Sequence, residues 1–342
     1  MKTINGNFKL NAKSLTLAGV ILFSVFAVSC NKADNETLPV MDPIAGTQDI
    51  PATLKTISGN ANYFTEADGS MKMGRKVPTF GILMSALEKT QLTSTVAKNR
   101  LTVFAPSDEA FENLFSLLGV KGIQDLTAEQ LTPILLYHVL DSPVFSTQLK
   151  SGFVPTLNGA AVEVKLNSGV MINDASVIRA DLKALNGALH VIDKVLLPPT
   201  KNIVEIAQGN SNFSILVAAV VKAGLVETLT SKGPFTVFAP TNDAFVALLA
   251  ELKLGGLNDI PVDVLKNVLL YHVIGGRVYS SDLPMGPLTV QTALSGKTFD
   301  INASTLKILD LNGREANLVP SLLNIQATNG VIHVIDRVIL PK

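Results

Sequence analysis

Three blocks of this chain occur twice in the same order, and the distance between copies is the length of a domain. Leu101–Phe111 reads LTVFAPSDEAF and Phe235–Phe245 reads FTVFAPTNDAF, with seven of eleven positions identical at an offset of 134. LLYHV stands at Leu135–Val139 and at Leu269–Val273, again 134 apart. NGALHVIDKVLLP at Asn186–Pro198 returns as NGVIHVIDRVILP at Asn329–Pro341, nine of thirteen identical and 143 apart. A period this long means a duplicated domain rather than a solenoid of short repeats. The second copy carries nine extra residues (143 − 134) between its second and third blocks. They are expected as one longer loop near Ile308–Leu323. The boundary is expected near Pro198-Pro199-Thr200, since two prolines cannot continue a strand ladder.

Within each copy the blocks predict a mixed α+β unit. Thr102–Ala105 and Thr236–Ala239 are short β-branched and aromatic strands, closed by Pro106 and Pro240. Ser107 and Thr241 are then placed to cap a helix. Phe111, Leu114, Phe115 and Leu118, matched by Phe245, Leu248, Leu249 and Leu252, give that helix one buried stripe. Phe80, Leu83, Met84 and Leu87 form another, paired with Phe213, Leu216, Val217 and Val220, and Gly224 can end the second of these helices. Thr127 and Gln130 fit a capping box for the helix that carries Tyr137-His138. Val144, Ser146 and Leu149, with Val278, Ser280 and Leu283, suggest a short strand and turn. The last block opens on Asn-Gly, a hairpin signal, and runs on as a strand buried on both faces. Ala52–Val77 is polar and aligns poorly with the second copy. Short helices with antiparallel strands make an α+β arrangement.

Composition narrows the function. Lys+Arg and Asp+Glu both number 28, so there is no basic excess for nucleic acid. Apolar residues make up 47% of the 342, enough to build cores and to exclude a disordered tail. One cysteine allows neither an intrachain disulfide nor a cysteine-rich zinc site.

That cysteine ends a leader. Lys2, Lys9 and Lys13 precede the apolar run Leu15–Val28, which is too short to span a bilayer and right for a secretory signal. The run closes Ala27-Val28-Ser29-Cys30. Residues 1–29 are thus expected as a bacterial lipoprotein signal peptide, with Cys30 lipidated. Ala27 stands where the lipobox usually has leucine. Ala-x-Ser also suits ordinary cleavage, which would give a secreted protein. Residues 30–47, with Pro39 and Pro43, read as a flexible tether. Loss of the leader removes three lysines and leaves 25 basic against 28 acidic groups, a net −3.

TVFAP[ST]xxAF, the Tyr-His pair and NGxxHVIDxVxLP, in this order and twice over, resemble the signature blocks of the fasciclin domain. The resemblance covers residues 48–199 and 200–342, taken as fasciclin-like domains 1 and 2. It implies a wedge of two β-sheets with packed helices, no enzymatic activity and no cofactor. It further implies adhesion or binding to an extracellular protein, polysaccharide or matrix partner. With the lipid anchor, the expected place is the cell envelope, at the outer membrane or cell surface. Asp108-Glu109 departs from the more typical Asn242-Asp243.

The resemblance makes Tyr137, His138, Tyr271 and His272 candidate partner-binding residues. The residues themselves also support a structural reading. Each histidine sits seven positions into an apolar helical stripe and near a helix C-terminus, where a buried, hydrogen-bonded imidazole suits the dipole. His190 with Asp193, and His333 with Asp336, are three apart on strands and point to opposite faces, so no metal or acid–base pair is expected there. No G-x-S-x-G elbow, Walker loop or dinucleotide fingerprint is present. Two alternatives remain open: carriage of a small hydrophobic ligand, which needs an apolar cavity, and glycan hydrolysis, which needs two carboxylates about 5–10 Å apart in a cleft.

Overall fold

The computed structural model describes residues 46–65, 76–167 and 169–342. The leader, Cys30 and the tether as far as residue 45 lie outside the described residues. Two α+β domains in tandem belong to one compact unit. The first contains α1 (Ile50–Ile57), α2 (Gly81–Lys89), α3 (Thr93–Lys98), α4 (Asp108–Leu118) and α5 (Ala128–Tyr137). Its strands are β1 (Leu101–Pro106), β2 (Val139–Leu140), β3 (Gly152–Pro155), β4 (Ala161–Lys165), β5 (Met171–Ile172), β6 (Ala175–Ala184) and β7 (Gly187–Ile192). The second contains α6 (Ile203–Gln208), α7 (Ser214–Lys222), α8 (Val226–Thr230), α9 (Asn242–Glu251) and α10 (Val262–Tyr271). Its strands are β8 (Phe235–Pro240), β9 (Val273–Gly275), β10 (Pro287–Gln291), β11 (Thr298–Asn302), β12 (Lys307–Leu309), β13 (Glu315–Asn317), β14 (Ile325–Ala327) and β15 (Gly330–Ile335).

The first and last blocks pair at the centre of each domain. Leu101 lies opposite Gly187 and Pro106 opposite Ile192; Phe235 lies opposite Gly330 and Pro240 opposite Ile335. Both pairs are parallel, whereas the sequence predicts antiparallel strands. Most of a domain separates the two strands in sequence, which supplies the long crossover that parallel pairing needs. Every residue of β7 and β15 is buried, as covering on both faces requires.

This pairing demands the two glycines. A Cβ on Gly187 would lie 1.9 Å from the Leu101 carbonyl oxygen, and one on Gly330 2.1 Å from that of Phe235. Hairpins β6–β7 and β14–β15 form as expected. Their turn residues, Leu185-Asn186 and Thr328-Asn329, all keep φ negative, so glycine is not the left-handed turn residue. The asparagine clasps helices to the sheet instead. Asn186 Oδ1 accepts from the Ile50 N–H, and its Nδ2 donates to the Val96 and Asn99 carbonyls. Asn329 makes the same bonds to Ile203, Leu229 and Ser231.

The first domain has one seven-stranded sheet, ordered β2-β1-β7-β6-β5-β4-β3. The ten-residue β6 carries register shifts between Val177 and Leu182, where it bends. Phe104, Tyr137, Val162, Val164, Ile172 and Ile192 share one core along this sheet, while the helices form a larger core with Leu189 and Val191. In the second domain the equivalent long strand is broken into β13 and β14, leaving sheets β10-β11-β12-β13 and β14-β15-β8-β9. Pro320 opens a three-ten turn in the gap and has no N–H to donate to a ladder. The nine extra residues are therefore not one loop. Matching contacts put Ala161 with Thr298, Ser176 with Asn317 and Asp181 with Asn324, offsets of 137, 141 and 143. Sheet pairing sets Met171 in the place of Lys307, an offset of 136, so a net seven of the nine residues enter between Lys307 and Asn324, in the expected stretch but on both sides of β13.

Local signals explain most helices. Ser107 accepts from the Ala110 N–H and Thr241 from the Ala244 N–H, while Thr127 and Gln130 complete a capping box. Gly119 and Gly224 take left-handed φ just past α4 and α7. Leu118 and Leu252, read as the last rungs of buried stripes, are exposed because each helix ends there. The expected strand near Ser146 and Ser280 is a three-ten turn in both copies. The segment that aligned poorly holds α1, which buries Ile50, Leu54 and Ile57 completely.

Candidate functional site

Helices α5 and α10 end on the Tyr-His pairs, and the structure places all four side chains in the interior. His138 and His272 are each 2% exposed. The His138 Nδ1–H donates to the Ile134 carbonyl at 2.8 Å, one of the last carbonyls that a helix leaves open, and Nε2 accepts from the Leu196 N–H at 2.9 Å. His272 repeats this with Val268 at 2.7 Å and Ile339 at 3.1 Å. A ring that donates from one nitrogen and accepts at the other is neutral. Burial, opposed only by the backbone bond in His138, lowers both pKa values to about 4. Desolvation outweighs the helix-end attraction of about 0.3–1 kcal/mol that would favour a charged ring, so the buried, hydrogen-bonded imidazoles are neutral.

The tyrosines staple each helix to the sheet. Tyr137 donates to the Ala161 carbonyl at 2.7 Å and accepts from Asn173 Nδ2 at 3.2 Å. Tyr271 donates to the Thr298 carbonyl at 2.6 Å and accepts from the Leu311 N–H at 3.3 Å. Leu311 belongs to the lengthened β12–β13 connection. Burial raises both phenols, Tyr271 to about 12.

His190 and His333 hold the other tautomer. Nε2 donates to the Val144 or Val278 carbonyl, and Nδ1 accepts from the Asp181 or Asn324 N–H. Both partners have positive φ, so these rings pin the residue at the bend of the long strand. Ser146 Oγ donates to the Asp181 carboxylate, but His190 meets only the Asp181 backbone, so the three do not form a nucleophile relay. Asp193 and Asp336 accept from the Ser176 and Asn317 N–H groups.

A cleft of about 740 Å³ in the first domain gathers Asp108, Glu109, Glu112 and Asp193. Asp108 is committed to capping α2: it accepts from the Thr79 hydroxyl and the Gly81 and Ile82 N–H groups. Asn242 does the same work for α7 through the Ile215 N–H, so the departure at this position preserves its role. No group of three or more His, Cys, Asp or Glu among the described residues could hold a metal ion.

Sequence reasoning missed the joint between the domains. Phe153 of β3 stacks on Tyr279 with ring centres 4.3 Å apart and planes 5° apart. Gln326 Oε1 accepts from the Ala161 N–H and the Tyr279 hydroxyl, and its Nε2 donates to the Ala161 carbonyl at 2.7 Å. Ala161 and Pro155 form a non-hydrogen-bonded pair, so the Ala161 N–H and carbonyl point away from β3, and β5 is too short to reach them; both are left for side chains. That same oxygen receives Tyr137, which links the first Tyr-His corner to the second domain. Arg277 steadies the β14–β15 hairpin through the Ala327, Thr328 and Gly330 carbonyls. The signal was present in the duplication: the first domain has Pro143 and Lys183 where the second has Arg277 and Gln326.

Comparison with known proteins also finds two matching segments. The family model described as the fasciclin domain matches residues 78–198 and 211–341. Transforming growth factor-beta-induced protein ig-h3 of Sus scrofa is 33% identical over 244 residues, covering 70% of this chain and 34% of that protein. Periostin of Homo sapiens is 32% identical over 250 residues, covering 71% and 29%. Protein sll1483 of Synechocystis is 41% identical over 153 residues, 44% of this chain and 79% of the other. The chain thus spans about a third of the length of ig-h3. Among solved structures, a FAS1 domain pair from the insect cell adhesion molecule fasciclin I covers 76% of this chain and 97% of its own, at 21% identity and a TM-score of 0.36.

Proposed function

We propose that this chain, which belongs to the fasciclin domain family through both of its halves, is a non-enzymatic adhesion or binding protein of the cell envelope. Residues 1–29 are its signal peptide, Cys30 its lipid anchor and residues 30–47 its tether. Its partner is an extracellular protein or polysaccharide. The observation that carries this reading is the commitment of the histidines and of the Tyr-His tyrosines. All four histidines use both nitrogens in scaffold bonds, and both Tyr-His tyrosines are tied to backbone. What faces outward is loop and helix surface, the usual carrier of recognition specificity. Two similar domains on one tether could raise avidity if one partner reaches both. The Tyr-His pairs contribute by shaping that surface, not by touching the partner.

Two experiments test it. Cys30→Ala should move the protein from the membrane to the soluble fraction; continued membrane association would remove the anchor from the proposal. The soluble Cys30→Ala protein, applied to arrays of envelope glycans and extracellular matrix proteins, should show saturable retention. Turnover of any glycan on the array, without retention, would overturn the adhesion reading in favour of a hydrolase.

A further inference from the structure

The second domain holds an apolar cavity of about 40 Å³ between α6, α7 and β8, with a mouth beside Val221 and Gln208. The duplication provides a control for judging it, because the first domain shows the same architecture with larger side chains at the matching positions. Helix α1 has eight residues and α6 has six. Counted from the asparagine-clasped Ile50 and Ile203, Ala207 stands in the place of Leu54; counted back from the following Asn60 and Asn210, it stands in the place of Ile57. Either way an alanine replaces a fully buried aliphatic side chain. On the facing helix, Val217 and Val220 stand where the first domain has Met84 and Leu87. Leu229 for Val96 recovers only part of the lost volume.

The rim changes in the same direction, by substitutions that packing does not require. Val221, 58% exposed, replaces Glu88, and Val226 replaces Thr93. So the space is opened by smaller side chains, and at two rim positions a valine replaces a polar residue. His272 supplies a polar edge to the wall, yet both of its nitrogens are already bonded to backbone. A ligand here can receive no hydrogen bond from the wall. Such a cavity stays dry, although its volume exceeds the roughly 10–15 Å³ that one water needs. It is too small for a ring system and suits something narrow.

We propose that this cavity is a binding site for the end of an unbranched, uncharged alkyl chain, and that the first domain lacks the site. The idea goes beyond adhesion and stands whether or not the adhesion reading holds. The chain end enters beside Val221, is held by burial alone, and leaves any polar head at the mouth near Gln208. The source of the chain is either a free amphiphile or a lipid of the membrane to which the protein is tethered.

The test is methyl NMR on residues 30–342 carrying Cys30→Ala, titrated with 1-hexanol. The expected result is saturable shifts at Val217, Val220 and Val226 with none at Leu54 and Leu87, which serve as the internal control. Ala207→Leu should weaken this binding at least tenfold. Should that variant not fold, Val220→Leu, which installs the first domain's residue, replaces it in the same test. Shifts that grow without saturation, that appear equally in the first domain, or that survive both filling variants would overturn the site. Phosphatidylcholine vesicles then distinguish the sources: shifts of the same methyls on vesicle addition identify a membrane lipid chain, and shifts with the alcohol alone identify a free ligand.

Discussion

At the scale of single residues, the four histidines make the molecule acid-sensitive in a predictable sense. Burial lowers the pKa of each in the folded state. Above about pH 6.5 folded and unfolded chains both hold neutral imidazoles, and these groups contribute no slope. As pH falls from about 6.5 to about 4, the unfolded chain binds protons that the folded chain refuses, so stability falls. For His138 and His272 the loss is about 3 kcal/mol each over that window. Urea midpoints at constant ionic strength should drop across it, and a flat profile would contradict the neutral, buried assignment. His272→Ala should lower the melting temperature near neutral pH, by about 2–4 kcal/mol of stability, since it strands the Val268 carbonyl and Ile339 N–H and leaves a cavity. It should also flatten the acid slope by that residue's share, which a purely steric loss would not do. Burial of these rings was legible from their place in an apolar stripe. Their tautomers were not, because the second partner of each comes from a strand or loop distant in sequence.

At the scale of elements, repeated blocks that were read as strands and helices became strands and helices, because cap, stripe and turn signals agreed locally. The readings failed where one element answers to another. Strand direction at the centre of each domain is set by a crossover, and the break between β13 and β14 by a proline in a stretch that otherwise aligns with an unbroken strand. Helix α1 was hidden because only three of its eight residues, Ile50, Leu54 and Ile57, are large buried aliphatics. Asn329→Ala tests the clasp that joins helices to sheet. It unpairs the Ile203 N–H and two carbonyls, and should cost about 2–3 kcal/mol in denaturant unfolding. The duplication also predicts a tolerated exchange. Asp108→Asn should cost under about 1 kcal/mol, because Asn242 already performs that cap in the second domain, whereas Asp108→Ala should cost about 2 kcal/mol. Equal losses for the two variants would mean that the charge, not the cap, matters.

At the scale of the whole molecule, the joint decides whether the two domains act as one body. A stacked aromatic pair contributes about 1 kcal/mol beyond its buried area, and each of the three hydrogen bonds that cross the joint, two between Gln326 and Ala161 and one from the Phe153 N–H to Ser281 Oγ, about 1 kcal/mol. A total of about 4 kcal/mol keeps separated domains near one molecule in a thousand. That is less than the roughly 5–15 kcal/mol that stabilises a folded domain, so the joint can be opened without unfolding either half. Tyr279→Ala combined with Gln326→Ala removes the stack and both Gln326–Ala161 bonds while leaving Arg277 to hold the hairpin. The expected outcome is a shorter rotational correlation time by NMR relaxation, with the two domains tumbling at different rates and each retaining its own folded spectrum. If adhesion uses a surface that spans both domains, retention on a glycan or matrix array should fall in the same variant; if each domain binds separately, it should not. Unchanged tumbling would show that the linker between β7 and α6, with the remaining Phe153–Ser281 bond, is enough to fix the domains. This joint could be seen in the sequence only as disagreement between the copies, at Arg277 and Gln326, because a contact made once in a duplicated chain breaks the repeat that reveals everything else.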